Sequence, residues 1–369
     1  MAGIYIHIPF CKSKCRYCDF ISYPGKIGYA DAYMACVYKE MKLRAPELKD
    51  KIFDTVYFGG GTPSVIDAMS IVGCMNLIRS DYNLSKNAEV TIEINPGTVD
   101  EEKIALYKKA GINRFSIGLQ SANDLILEDI GRIHKADDFV KTCSMLGDVN
   151  KSADIMIGLK NQRQEDIFDS IDLSVQCGVK HISMYALTPE DGTPMYSDYL
   201  NGELPDSDEV ADQYEKAREY LKRKGFFRYE VSNFAVPGYE SRHNLNYWRR
   251  GEYIGFGVAA SSFMNNRRFT NTRDLDEYIK CIMTNYYPVV DNALIEGDDA
   301  KFEMIMLALR TTEGLSLAKY KNAFGTDFPV DFFESLKKNV QYLVCENGRV
   351  RIKDEYLYVQ NSILMDFLQ

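Results

Sequence analysis

No stretch of the 369 residues approaches the roughly 18 consecutive apolar positions that a membrane span requires, so no integral membrane segment is expected. A charged leader with an apolar core is missing too. Met1 runs straight into strand-like sequence, and a cytoplasmic location without a signal or transit peptide is the expectation. Positive charge is short: 44 Lys and Arg face 53 Asp and Glu, a formal net charge of −9. A nucleic-acid partner needs a cationic footprint, so none is expected. There is no low-complexity segment, and no repeat beyond a regular alternation of strand-like and helix-like pieces. Cysteine is not scarce, but nine is an odd number without secretory context, which argues against a disulfide framework.

What is present is concentrated near the start, where Gly3 to Phe20 reads GIYIHIPFCKSKCRYCDF. Alternating Ile4, Ile6 and Ile8 lead a strand into Pro9 and a loop carrying Cys11, Cys15 and Cys18 in the spacing C-x3-C-x2-C. Three thiolates so close together can converge on one centre. Soft, ionised, closely spaced ligands are what an iron–sulfur cluster takes. Three protein ligands on four irons leave one iron open to another molecule. Zinc would want a fourth Cys or His at a second knuckle, and none stands nearby: Cys36 falls on a helical pattern and His7 on the strand. Cys74, Cys143, Cys177, Cys281 and Cys345 are scattered and, with Cys36, read as reduced thiols.

Six short β-rich runs recur along the first half: Ile4–Pro9, Thr55–Phe58, Val90–Ile94, Phe115–Leu119, Ile155–Leu159 and Ile182–Leu187. Helical patterns such as Tyr29–Leu43, Ser64–Arg79, Glu101–Ala110 and Glu165–Cys177 separate them. Strict strand–helix alternation predicts a parallel sheet with right-handed crossovers. Six units suit a partial (β/α)6 TIM-like barrel in an α/β chain, with an open doubly wound sheet as the alternative. Polar and glycine motifs fall at the strand C-terminal ends, where such a barrel carries its chemistry. Beyond a charged helix at Asp206–Lys224 comes an aromatic, turn-rich stretch. Helical patterns at Asp299–Leu309, Leu317–Phe324 and Phe333–Asn339 then precede a hairpin turning at Asn347–Gly348. The expected organisation is a barrel over 1–235, a covering region over 236–298, and a small α+β winged-helix-like domain over 299–369.

Several residues carry two readings. The turn Gly59-Gly60-Gly61-Thr62-Pro63 is a tight turn or a backbone that faces an anion. Glu93 caps a helix or holds a ligand, and Gln120 is a polar sheet end. Arg132 and Asp154 form a routine surface ion pair or face each other at the barrel mouth. His243, between Arg242 and Asn244, reads by itself as a hydrogen-bonded loop residue.

The cysteine spacing with an aromatic at Tyr17 resembles the radical S-adenosylmethionine (SAM) superfamily, and IHIPFCKSKCRYCDF resembles the oxygen-independent coproporphyrinogen III oxidases. The resemblance runs nearly end to end, through YALTPEDGTPMY, RYEVSNFA and FEMIMLALRTTEGL. It implies a [4Fe–4S] cluster on Cys11, Cys15 and Cys18, with S-adenosyl-L-methionine lined by Tyr5, Gly60, Gly61, Thr62, Glu93 and Ala186. It places Tyr17, Gln120, Arg132 and Asp154 where the oxidases hold a second SAM. The oxidases carry a further Cys where this chain has Phe20, which makes it similar to the HemW-type heme chaperones. Arg242-His243-Asn244-Leu245-Asn246-Tyr247-Trp248 matches their HNxxYW motif, implying heme on His243. The implied partners are heme or a porphyrin, a heme-acceptor protein, and an electron donor of flavodoxin or ferredoxin type. Lys160 and Ser261 depart from the family pattern. Oxidation of coproporphyrinogen is the alternative activity.

Overall fold

The computed structural model describes residues 2–368. Strands β1 (Ala2–Ile8), β2 (Ile52–Gly60), β3 (Asn83–Ile94), β4 (Arg114–Gln120), β5 (Asn150–Ile157) and β6 (His181–Ala186) pair in order and in parallel. The sheet is larger than these units: β7 (Phe227–Arg228) and β8 (Asn233–Ala235) add antiparallel strands beyond β6. At the other side β9 (Glu252–Phe256) lies parallel to β1 and starts a meander with β10 (Ser261–Met264), β11 (Arg267–Asn271) and β12 (Val289–Leu294). The 12 strands run β12-β11-β10-β9-β1-β2-β3-β4-β5-β6-β8-β7 and do not close on themselves.

Strand alternation decides what faces where. Ile4, Ile6 and Ile8, with Val56, Phe58, Ile92 and Ile117, are fully or almost fully buried in the main apolar core, where helices cover the sheet. Their neighbours form cross-strand rows such as Gly3–Thr55–Glu89, Tyr5–Tyr57–Thr91–Arg114 and Gly118–Asp154–Ser183. The bore of the half-barrel is therefore lined with hydroxyls, carboxyls, glycines and aromatic rings rather than aliphatics.

Element ends differ from expectation where caps intervene. The helix expected from Ser64 starts at Ala68, because Pro63–Val65 forms a 3₁₀ turn and the Asp67 carboxylate accepts the Met69 N–H at 3.0 Å. The fifth strand begins at Asn150, ahead of the apolar run that announces it. Helices at Asp124–Asp129 and Ala136–Leu146 follow β4. The C-terminal unit has its own core around Tyr320, Phe328, Phe332 and Phe367. It contains a small sheet of β13 (Leu315–Ser316), β14 (Leu343–Glu346) and β15 (Arg349–Ile352), the last two joined by the expected turn. It docks on the end of the large sheet through Val231 N–H to Arg310 C=O and Thr312 N–H to Tyr229 C=O. No helix among the described residues is long and apolar enough to cross a membrane.

Candidate functional site

The strand C-terminal ends converge on a cavity of about 350 Å³. Cys11, Cys15, Tyr17, Cys18, Gly60, Gly61, Thr62, Glu93, Gln120, Arg132 and Asp154 all line it. Tyr5 lines instead a neighbouring cavity of about 490 Å³, which shares Phe20, Gly60 and Glu93 with the first. Ala186 ends β6 beside Ile157 and lines neither.

The cysteine loop is pinned from several sides. The Arg16 N–H donates to Ile130 C=O, the Cys18 N–H to Cys15 C=O, and Tyr23 N–H to Pro9 C=O. Cys11 Sγ lies 3.5 Å from the Thr62 hydroxyl, and Arg132 Nη1 donates to Cys15 Sγ at 3.8 Å. The glycine turn is shaped to this loop. A Cβ built on Gly61 would lie 2.8 Å from the Phe10 carbonyl oxygen and 2.9 Å from Cys11 Sγ. Gly60 has φ +118°, a conformation L side chains rarely adopt. Among the described residues no three His, Cys, Asp or Glu side chains gather tightly enough for a single metal ion. Three thiols around a common cavity, with the half-buried Arg132 guanidinium on Cys15 to offset thiolate charge, fit a larger multi-iron group. Burial pushes the Cys11 and Cys18 thiols up, so a metal centre must supply the drive for their deprotonation.

Arg132, half-buried, and Asp154 both line this cavity but make neither an ion pair nor a hydrogen bond with each other. Arg132 Nη2 donates to Asn95 Oδ1 at 2.8 Å and Gly118 C=O at 2.7 Å, whereas Asp154 Oδ1 accepts from Ser116 at 3.3 Å. Gln120 follows a register shift in β4 and takes φ 67°, the left-handed backbone that favours glycine. Glu93 caps no helix. Its Oε1 accepts the Tyr57 hydroxyl at 2.8 Å and its Oε2 the Gly60 N–H at 3.2 Å. Burial pushes this carboxyl up to about 7, against the hydrogen bonds from Tyr57 and Gly60 that favour its ionised form.

That shift has a sign that can be checked. A carboxyl whose folded pKa lies above its unfolded value stabilises the fold below about 4.5 and loses that contribution as pH rises through about 7. Glu93→Gln, which does not titrate, is therefore expected to gain melting temperature over the parent protein by a few degrees between pH 5 and pH 8. A pH-independent difference in thermal unfolding would refute it.

His243 requires a correction. The expectation of an imidazole on a covering loop, free for an iron, does not hold in this structure. Ser241 caps a helix over Arg242–Trp248, and Glu89 accepts the N–H groups of Arg242 at 3.2 Å and His243 at 3.0 Å. This puts the ring inside the barrel, against the N-terminal ends of β1 and β2, and it is 1% exposed. Its Nδ1 is 2.7 Å from Thr55 Oγ1 and its Nε2 2.7 Å from the Tyr247 hydroxyl, with Tyr57 stacked on it at 5.0 Å. Both nitrogens are used, and burial pushes the pKa down to about 3. The ring lines neither cavity.

The structure adds residues that motifs did not announce. Arg114, at the start of β4, is 2% exposed and reaches the cavity floor, where it makes no ion pair or side-chain hydrogen bond among the described residues. A buried, unpartnered guanidinium favours an anionic group within its reach. Ser261, which departs from the family pattern, lines the larger cavity, and Lys160 pairs with Glu203 away from both.

Comparison with known proteins agrees with this geometry. The Radical SAM superfamily model matches residues 5–174, and the HemN C-terminal domain model residues 295–361. The heme chaperone HemW of Bacillus subtilis is 32% identical over 98% of this chain and 96% of that protein. That of Buchnera aphidicola is 32% identical over 92% and 96%, and that of Mycobacterium tuberculosis 34% over 86% and 83%. The solved structure of Escherichia coli coproporphyrinogen III oxidase superposes with a TM-score of 0.87 at 19% identity, covering 100% of this chain and 90% of that one. That likeness establishes the shared fold. By sequence identity over nearly its whole length, the chain belongs to the HemW family of the radical SAM superfamily.

Proposed function

We propose that this protein is a heme chaperone: it binds heme and passes it to an acceptor protein, and it carries a [4Fe–4S] cluster with SAM beside it. Cys11, Cys15 and Cys18 would hold the cluster, and Gly60, Gly61, Thr62 and Glu93 the SAM. When bound, these groups supply one-electron reductive chemistry on SAM, fed by a flavodoxin- or ferredoxin-like donor. The chain's own residues seat the groups in a pocket whose mouth is held by Arg132 and Asn95.

The observation that carries the reading is the pair of adjoining cavities. One collects the thiols; the other is walled by Tyr5, Tyr247 and Tyr253, rings suited to a flat macrocycle. Their volumes fall in the range of small-molecule sites, about 300–1,000 Å³. Phe20 stands in both walls and is 65% exposed, at the position where the oxidases have an extra cysteine.

Oxidation of coproporphyrinogen III is the competing reading, favoured by the shared fold. Anaerobically reconstituted protein is expected to bind one heme per chain, and to form no protoporphyrinogen from coproporphyrinogen III with excess SAM and reductant. Steady multiple turnover in that assay would replace the chaperone reading with the enzymatic one.

A further inference from the structure

Lys14, Arg114 and Arg132 bring positive charge to the cavity of about 350 Å³. Lys14 is exposed on the cysteine loop, and Arg132 is committed to Asn95, Gly118 and Cys15. Arg114 has neither solvent exposure nor a protein acceptor. Its Nε is sealed in without a hydrogen-bond partner, and its Nη groups meet no acceptor among the described residues and open on the cavity. A guanidinium taken out of water in this way is costly unless an anion completes it. We propose that the floor of this cavity is a carboxylate site, in which Arg114 clasps a carboxylate of a small molecule lying in the bore. The inference goes beyond the heme reading and does not rest on it.

Strand register builds the site. Arg114 closes the cross-strand row Tyr5–Tyr57–Thr91, and Ser116 stands two residues further up the same face of β4. Gly118, which anchors Arg132, lies four residues up, roughly 13 Å along the strand. The floor is thus set well below the cysteine loop that Arg132 touches. Asn244 enters the same cavity from the helix Arg242–Trp248, and its side-chain amide has no hydrogen-bond partner among the described residues. A guanidinium fork and one amide donor match the two oxygens of a carboxylate.

Glu93 and Asp154 line the cavity too, and they limit the charge it can take. Their oxygens are engaged by Tyr57, Gly60 and Ser116, and neither carboxyl reaches ion-pairing distance of Arg114. Burial pushes both carboxyls up, and the Arg114 charge pulls against that from further off. One cation facing two acids suits a monoanion, whereas a phosphate dianion would add a second negative charge to the same bore. Two sources carry the required group: the amino-acid end of a SAM-type molecule, and a propionate of a porphyrin. Balancing Glu93 and Asp154 is the simpler role for Arg114, and a lysine would serve it as well. The fork is what a lysine lacks.

S-adenosylhomocysteine and coproporphyrin III are the probes, titrated anaerobically into the reconstituted full chain and into its Arg114→Lys and Arg114→Met variants. At least one probe is expected to bind Arg114→Met roughly tenfold or more weakly than wild type, and Arg114→Lys to lose most of the same affinity. A loss confined to one probe names the source; a loss of both shows that the site accepts either carboxylate. Methylthioadenosine, which keeps the nucleoside but has no carboxylate, should bind all three proteins alike, and their iron contents and melting temperatures should agree. Hemin, placed in the neighbouring cavity, should also bind all three alike, so a failure of the heme reading is distinguishable from a failure of this one. If Arg114→Lys binds both probes as wild type does, the residue only balances charge and the inference is overturned. Weakened binding of methylthioadenosine in step with the probes, or no binding of either probe by wild type, overturns it as well.

Discussion

Gly61→Ala is expected to purify without the proposed iron–sulfur cluster, as completely as Cys11→Ala, Cys15→Ala or Cys18→Ala. The added methyl would sit 2.8 Å from the Phe10 carbonyl oxygen and 2.9 Å from Cys11 Sγ, well inside van der Waals contact. Phe10 cannot retreat: its ring is fully buried and its carbonyl accepts the Thr62 N–H at 2.8 Å. Gly61 itself is tied by its N–H to Ile8 C=O at 2.9 Å. The compliant partner is the cysteine loop, so the cost, about 1–3 kcal/mol for overpacking, falls on the geometry of the first ligand. Visible absorbance and iron content after anaerobic reconstitution measure the loss, and circular dichroism should report a folded chain. Cys36→Ala and Cys281→Ala should keep the cluster. A full complement of iron in Gly61→Ala would show that the glycine turn is not fitted to Cys11.

The second large effect concerns stability rather than chemistry. Glu40 is fully buried in the helix Ala30–Leu48, yet its carboxyl meets three hydrogen-bond donors and one guanidinium. Gly257 N–H donates at 2.9 Å, Asn271 Nδ2 and the Tyr278 hydroxyl at 2.8 Å each, and Arg44 Nε, one turn along the same helix, lies at 3.8 Å. Gly257, Asn271 and Tyr278 belong to the segment that adds β9–β12 to the barrel. Burial pushes the carboxyl up, and the hydrogen bonds from Gly257, Tyr278 and Asn271 and the charge of Arg44 pull against that. Glu40→Ala strands the Gly257 N–H and the Tyr278 hydroxyl and leaves the buried Arg44 without its counter-charge, and a loss of about 3–5 kcal/mol is expected, the usual consequence of breaking a buried charged network from one side. Glu40→Gln, which keeps the shape and part of the bonding, should lose less. Urea unfolding curves settle the matter; a shift under about 1 kcal/mol for Glu40→Ala would mean that the network does not hold this segment.

Sequence patterning made the parallel strands of the barrel legible because each is announced locally, by a β-rich run between amphipathic stretches. The same locality failed beyond the sixth strand. β9 pairs with β1 across about two thirds of the chain, and no periodicity near Glu252–Phe256 points to Ala2–Ile6 as its neighbour. The cysteine loop and glycine turn could be found because their chemistry depends on spacing. Arg114 could not, since nothing about an arginine before Phe115 says that its side chain runs up the bore without a partner. His243 was misplaced for a related reason. Its surroundings in sequence are polar, but its surroundings in space are Thr55, Tyr57 and Glu89, residues of strands far away along the chain.

The two faces of each barrel strand also divide the labour of the fold between alternate positions. Phe58 and Ile155 belong to the apolar layer under the helices, while Tyr57 and Asp154, their immediate neighbours, belong to the bore. Substitution at the first kind of site taxes folding; substitution at the second reshapes what the bore can accept, with little apolar area at stake. One scaffold can therefore exchange its contents while its outer layer stays fixed, and relatives with unlike cargo can keep one architecture. The arrangement has a single point of weakness, which is register: a slip of one residue in any strand would send carboxyls and hydroxyls under the helices and isoleucines into the bore.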